Sequence, residues 1–296
     1  MIEASAILWG LMGAVLIGAS DCIARVTAQK ISSTVLFLFI MGLSSIVLLS
    51  WQLVTSNLPP WNAYAWGVSA ISGILNIIAL FFLYKALARG PVTVASPAAS
   101  TFVVLLVLLN IITGAPWNVW QLIAIGIVFF GIVQLSRHSD TAIEDRDYDS
   151  AWLRTTALYG LATAITITIR MYMAQEATDV VGALHALTLN RMFALATTLV
   201  LLVWLLAKQS EIVWPQGRLL RLVILQTAFE TLALSAFLLG SASGGRVGAT
   251  IGFSVFSATT ALIAWWWLGE RIGIRRGLWM LVVGCGVALA SATSAL

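Results

Sequence analysis

Ten apolar runs, each long enough to cross a bilayer, constrain this chain more than any other feature. They fall near residues 6–24, 32–54, 65–84, 92–112, 118–136, 152–172, 182–206, 219–239, 247–268 and 275–293. A helix rises about 1.5 Å per residue, so about 20 apolar residues span a hydrocarbon core of about 30 Å. The runs lack strict alternation, and an open sheet would leave backbone groups unpaired in lipid, so helices are predicted throughout. Only 9% of residues are charged and 60% are hydrophobic, against about 25% charged in a soluble domain. An all-α membrane protein of ten transmembrane helices is expected, with no length left for a soluble domain.

Turn residues and tryptophans support these boundaries. Pro59-Pro60, Gly90-Pro91 and Gly114-Ala115-Pro116 interrupt the pattern, and Trp51, Trp61, Trp117, Trp152, Trp204 and Trp214 lie near run ends, where an amphipathic indole is best placed. The chain starts Met-Ile-Glu without a basic leader, so the first run reads as a retained helix. Cys22 and Cys285 fall in or beside apolar runs and have no metal-ligand spacing, so neither a disulfide nor a metal site is expected.

Of the 16 Lys and Arg residues, Arg170 and Arg191 lie inside runs and Arg246 lies on the side of the N-terminus. The other 13 (Arg25, Lys30, Lys85, Arg89, Arg137, Arg146, Arg154, Lys208, Arg218, Arg221, Arg271, Arg275 and Arg276) share the opposite side. The positive-inside rule makes that side cytoplasmic and places both termini outside. The net charge of +4 therefore marks one membrane face and not a nucleic-acid surface. The expected location is a bacterial inner (plasma) membrane.

The longest polar connection, near residues 137–151, divides the chain into units at 1–136 and 152–296. Gly240–Leu289 reads as a glycine-rich turn, an apolar run, a hinge at Gly269-Glu270-Arg271 and a second run, and Lys85–Gln134 repeats that plan 155 positions earlier. The overlay keeps Gly90/Gly245, Val92/Val247, Gly114/Gly269 and Gly131/Gly286. Five helices is an odd number, so the second unit enters the membrane from the opposite face. Two inverted five-helix repeats around a midplane site form a common transporter plan.

Ionisable groups inside runs cost at least about 2.5–3.5 kcal/mol each and mark candidate sites. Glu230 and Arg191 each lie about nine residues, roughly 13 Å, from the outer ends of runs eight and seven, so they are expected to face each other. They form either a substrate or proton site or an ion pair that ties two helices. Asn76, Gln226 and Asn190 are candidate substrate-binding amides that serve equally as interhelical hydrogen-bonding groups. Gln226 lies one turn before Glu230 and shares its face; Asn190 points about 100° from Arg191. Trp9 and Tyr84 are candidate cavity aromatics, with packing as the alternative. Asp21 pairs at i, i+4 with Arg25 or serves a gate. Arg170 is placed near the outer end of run six, where it snorkels towards Glu176 or Asp179 in the following loop. His185 is a polar filler at an outer helix end. Gly240, Gly244, Gly248 and Gly252 recur every four residues, a spacing that allows close helix approach.

There is no Walker-type phosphate loop, no H-E-x-x-H, no G-x-S-x-G and no cysteine cluster. No cofactor and no enzymatic activity are expected, which leaves a secondary transporter, with Glu230 or Asp21 available for proton coupling.

Trp267-Leu268-Gly269-Glu270-Arg271, followed by Gly284-Cys285-Gly286, resembles the end of an EamA-type domain of the drug/metabolite transporter superfamily. Gly90-Pro91-Val92 through Ser96-Pro97 resembles the corresponding turn of a first such domain. The resemblance implies a ten-helix bundle, a central cavity, alternating access and a polar or amphiphilic small-molecule substrate. It also implies an arginine in the second helix of a domain: Arg191 fits that position, whereas Met41 occupies it in the first unit. Ala115 stands where the first hinge glutamate would fall.

The leading expectation is an exporter or exchanger of a small polar metabolite such as an amino acid, as a monomer or homodimer in the bilayer, with a cavity walled by runs one, three, six and eight and their neighbours. The alternative is a proton-coupled exporter of lipophilic cations, which needs a lone carboxylate. A membrane scaffold without flux is the third reading.

Overall fold

The computed structural model describes residues 2–89, 98–99, 101–115, 117–137, 150–208, 212–243, 245–268, 278–279, 281–282, 285–286 and 289. Among them no strand occurs. The helices are α1 (Ile2–Thr27), α2 (Ser33–Val54), α3 (Ala63–Arg89), α4 (Phe102–Ile112), α5 (Val119–Arg137), α6 (Ser150–Val181), α7 (Ala183–Ala207), α8 (Arg218–Ala242), α9 (Arg246–Phe253) and α10 (Phe256–Leu268). Among the described residues, α1, α2, α3, α6, α7 and α8 are long and apolar enough to cross a membrane, and α4 and α5 contain shorter apolar stretches. The hinge at residues 269–271, the turn at residues 90–97, the connection at residues 138–149 and most of run ten lie outside the described residues.

Two runs differ from their expected form. Run six extends as helix to Val181, nine residues past its expected end. The segment Met173–Val181 carries charge but no glycine or proline, so nothing in it stops a helix. Gly182 does stop it, at φ 86° and ψ 157°, a conformation open to glycine and strained for other residues. A single residue thus joins α6 to α7 and sends the chain back. Run nine breaks at Ser254-Val255 into α9 and α10. There the Ser254 hydroxyl donates to Ile251 O at 2.6 Å, a local bond that competes with helical continuation.

Packing joins the first half of the chain to the second. α1 lies against α8, α9 and α10; α3 lies against α6 and α7; α2 contacts α7 and α8; and α4 contacts α6. Small residues permit this closeness. A Cβ at Gly10 of α1 would overlap Ala249 O and lie 2.8 Å from Phe253 N. Thr259 Oγ1 donates to Ala14 O at 2.8 Å across the same seam. On the other side, a Cβ at Gly73 of α3 would lie 2.8 Å from both Asn190 O and Ala194 N of α7. The expected glycine stripe is therefore distributed. Gly240 on α8 faces Trp9 and Ala6, Gly252 on α9 faces Ile7, and Gly244 lies outside the described residues.

Apolar side chains cover the outer surface, with Val54 84%, Ile112 80% and Trp266 81% exposed. A surface of that character suits lipid and not water.

Candidate functional site

The polar residues of the interior collect where α2, α3, α6, α7 and α8 meet. Arg191 is fully buried on α7, and its Nη1 donates to Glu230 Oε1 on α8 at 3.1 Å. The same Nη1 lies 3.1 Å from the sulfur of Met41 on α2. Asn76 on α3 points Nδ2 at that sulfur as well, at 3.6 Å. The two residues placed at equal depth by counting along their helices are thus in contact, and Asn76 joins them through Met41.

Gln226 extends the cluster one turn along α8 towards the Arg218 end. Its Oε1 accepts from Thr27 Oγ1 of α1 at 2.9 Å, and its backbone carbonyl lies 3.4 Å from Ser20 Oγ. Tyr84 of α3 lies within electrostatic range of Gln226, Glu230 and Asp21. Its ring packs on Phe37, with centroids 5.4 Å apart. Asp21 is half-buried on α1; the side chain of Arg25 lies outside the described residues.

Trp9 is not brought to this cluster. It packs against Gly240, ten residues and so about 15 Å along α8 from Glu230.

Arg170 requires a correction. With α6 running to Val181, it lies about 17 Å from the helix end, beyond the reach of Glu176 and Asp179. It is 9% exposed, its Nη1 lies 3.6 Å from Met171 Sδ, and its backbone carbonyl accepts from Ser72 Oγ at 2.9 Å. Asn190 Nδ2 donates to the same Ser72 hydroxyl at 2.7 Å. A small cavity lies beside these groups, lined by Arg170, Asn190, Met171, Leu187, Leu234 and Leu238, among others. The signal that would have placed Arg170 is Gly182, the first strong helix stop after it.

Glu176 and Asp179 instead hold Arg246 of α9. Arg246 Nη1 donates to Glu176 Oε1 at 2.7 Å, and Nη2 pairs with Asp179. Glu176 also accepts from Tyr64 Oη of α3 at 2.8 Å. Burial works against the Arg246 charge, but these two carboxylates outweigh it and hold the guanidinium above its usual range. Between this clasp and the Arg191–Glu230 pair lies an amide layer. Asn110 Nδ2 donates to Gln175 Oε1 at 3.1 Å, and Gln175 Nε2 to Ser241 Oγ at 3.0 Å. His185 bridges Val181 O and Asn57 O through its two ring nitrogens, at 2.8 and 2.9 Å.

Among the described residues no cluster of His, Cys, Asp or Glu could hold a metal ion. Residues 4–137 match the model of the EamA-like transporter family. No curated protein matches the chain. Among solved structures, a crystal structure of a protein 17% identical to this chain has a TM-score of 0.75, covering 98% of this chain and 97% of that one. At that identity the likeness shows a shared fold and nothing about substrate.

Proposed function

We propose that this chain, whose residues 4–137 match the EamA-like transporter family, is a multi-pass membrane transporter of the drug/metabolite transporter superfamily that moves a small polar metabolite, such as an amino acid, by alternating access as an exporter or exchanger. The observation that carries this reading is the Arg191–Glu230 pair, buried where five helices of both halves converge. A charged pair in hydrocarbon is costly, and intramembrane ionisable groups mark substrate and ion paths.

Two inverted five-helix units, divided near residues 137–151, are part of the proposal. Exchanging the units would turn α1 into α6, α2 into α7, α3 into α8, and α4 into α9 and α10. The main contacts between the two units survive that exchange. α1 with α8 becomes α6 with α3, α1 with α9 and α10 becomes α6 with α4, and α2 with α8 becomes α7 with α3. The α2–α7 contact maps onto itself, and there Met41 meets Arg191. A pocket on such an axis opens to one face or the other as the units exchange conformations.

The pairing of Glu230 with Arg191 weighs against a drug-proton exporter, which needs a carboxylate free of a fixed cation. Uptake by purified protein in proteoliposomes, across a panel of amino acids, organic acids and lipophilic cations, tests the reading. Flux of a polar metabolite is expected. Flux of lipophilic cations alone would favour the alternative, and no flux of any compound would favour a scaffold.

The clasp of Arg246 with Glu176, Asp179 and Tyr64 closes one end of the pocket in this reading. In a background without native cysteines, Arg246→Ala is expected to raise severalfold the labelling of Ala174→Cys by an impermeant maleimide added from outside. Unchanged labelling would show that the clasp is not a gate.

A further inference from the structure

The described interior holds one more cation than anion where it matters most. Arg170 has Arg191 and Glu230 within Coulombic range, one repelling it and one attracting it. Glu230 is already bonded to Arg191. Arg170 is left with a sulfur contact, and its Nε has no hydrogen-bond partner. Arg191 has two further donors, Nε and Nη2, without partners, and Asn190 Oδ1 is an unpartnered acceptor. Protein interiors satisfy nearly all such atoms, and an uncompensated guanidinium in a membrane is costlier than any neutral group. A guanidinium fork matches a carboxylate in shape and charge.

The cavity has two chemical ends. Arg170 and Asn190 form the polar end, and Met171, Ala174, Leu187, Leu234 and Leu238 form the apolar wall. It now has room for about one water molecule, so a substrate enters as the helices part. A phosphate would bring two charges against a single excess cation, and an ammonium group without a carboxylate beside it would be repelled. A monoanionic carboxylate with an apolar body meets both the charge and the wall.

We infer that Arg170, with Asn190 beside it, forms the anchoring site for the carboxylate of a small substrate whose apolar part lies against Leu187, Leu234 and Leu238. Arg191, held by Glu230, follows Asn190 on α7 and lies within Coulombic range of Arg170. The inference rests on the transport reading and names the class of its substrate.

Binding separates the two. Purified protein in lipid nanodiscs is titrated with hexanoate, hexanamide and hexylamine, and with leucine and leucinamide. Hexanoate is expected to bind at least about tenfold more tightly than hexanamide, and hexylamine not at all. Arg170→Gln is expected to lower hexanoate affinity about ten- to a hundredfold, with partial recovery in Arg170→Lys, which keeps the charge and loses the fork. Equal binding of acid and amide by the wild-type protein would overturn the site without recourse to any variant, as would hexanoate binding unchanged in a folded Arg170→Gln protein. Binding selective for the acid without flux in proteoliposomes would leave the site standing and remove the transport reading. Flux of an uncharged metabolite that ignores Arg170→Gln would do the reverse.

Discussion

Glu230→Gln is expected to abolish transport and to destabilise the protein by about 3–5 kcal/mol, the usual cost of removing one partner of a buried ion pair. The substitution keeps shape and size, so nothing is lost in packing. It leaves the guanidinium of Arg191, fully buried, with an amide, a sulfur and no anion. Together with Arg170 it would place two uncompensated cations in one interior. Loss of stability alone does not separate a substrate site from a strut between α7 and α8. The double variant Glu230→Gln with Arg191→Met does so, because replacing a buried pair by neutral groups of similar volume often restores stability. Restored thermal stability with no flux is the expected result. Restored stability with normal flux would make the pair structural only.

Gly10→Ala is expected to destabilise by about 1–3 kcal/mol or more, although it adds one methyl group. The new Cβ would meet backbone on α9, at Ala249 O and at Phe253 N 2.8 Å away. Backbone cannot rotate aside as a side chain can, so relief requires α1 and α9 to separate. Separation would also disturb the hydrogen bond from Thr259 to Ala14 farther along the seam. Gly67→Ala is the matched control. Gly67 is helical and nothing lies within 4 Å of the added Cβ, so the better helix propensity of alanine should stabilise by up to about 1 kcal/mol. Opposite shifts in unfolding temperature are expected from the same change of side chain. A neutral Gly10→Ala would mean that the two helices do not pack this closely.

Hydropathy and helical rise made much of the site legible. Equal distances from helix ends were enough to bring Arg191 and Glu230 together, and one turn of spacing set Gln226 on the Glu230 face. Arg170 was not legible, because its depth depends on where α6 stops. Glu176 and Asp179 suggested an early end, whereas those carboxylates sit on the helix and hold Arg246. Trp9, a candidate cavity aromatic with packing as the alternative, lies against Gly240, because residue type within an apolar run does not tell which neighbour its face meets. The break at Ser254 arises from one hydroxyl bonding within its own turn, a detail that average hydropathy does not register.

Sidedness tests the two-unit plan most directly. Single cysteines at Ile2, in the 138–149 connection and at Leu296, in a background lacking Cys22 and Cys285, are to be labelled on intact cells with an impermeant maleimide. Labelling of both ends, with the connection protected until the cells are opened, is the result expected of two oppositely inserted five-helix units. Ends found on different faces of the bilayer would contradict it.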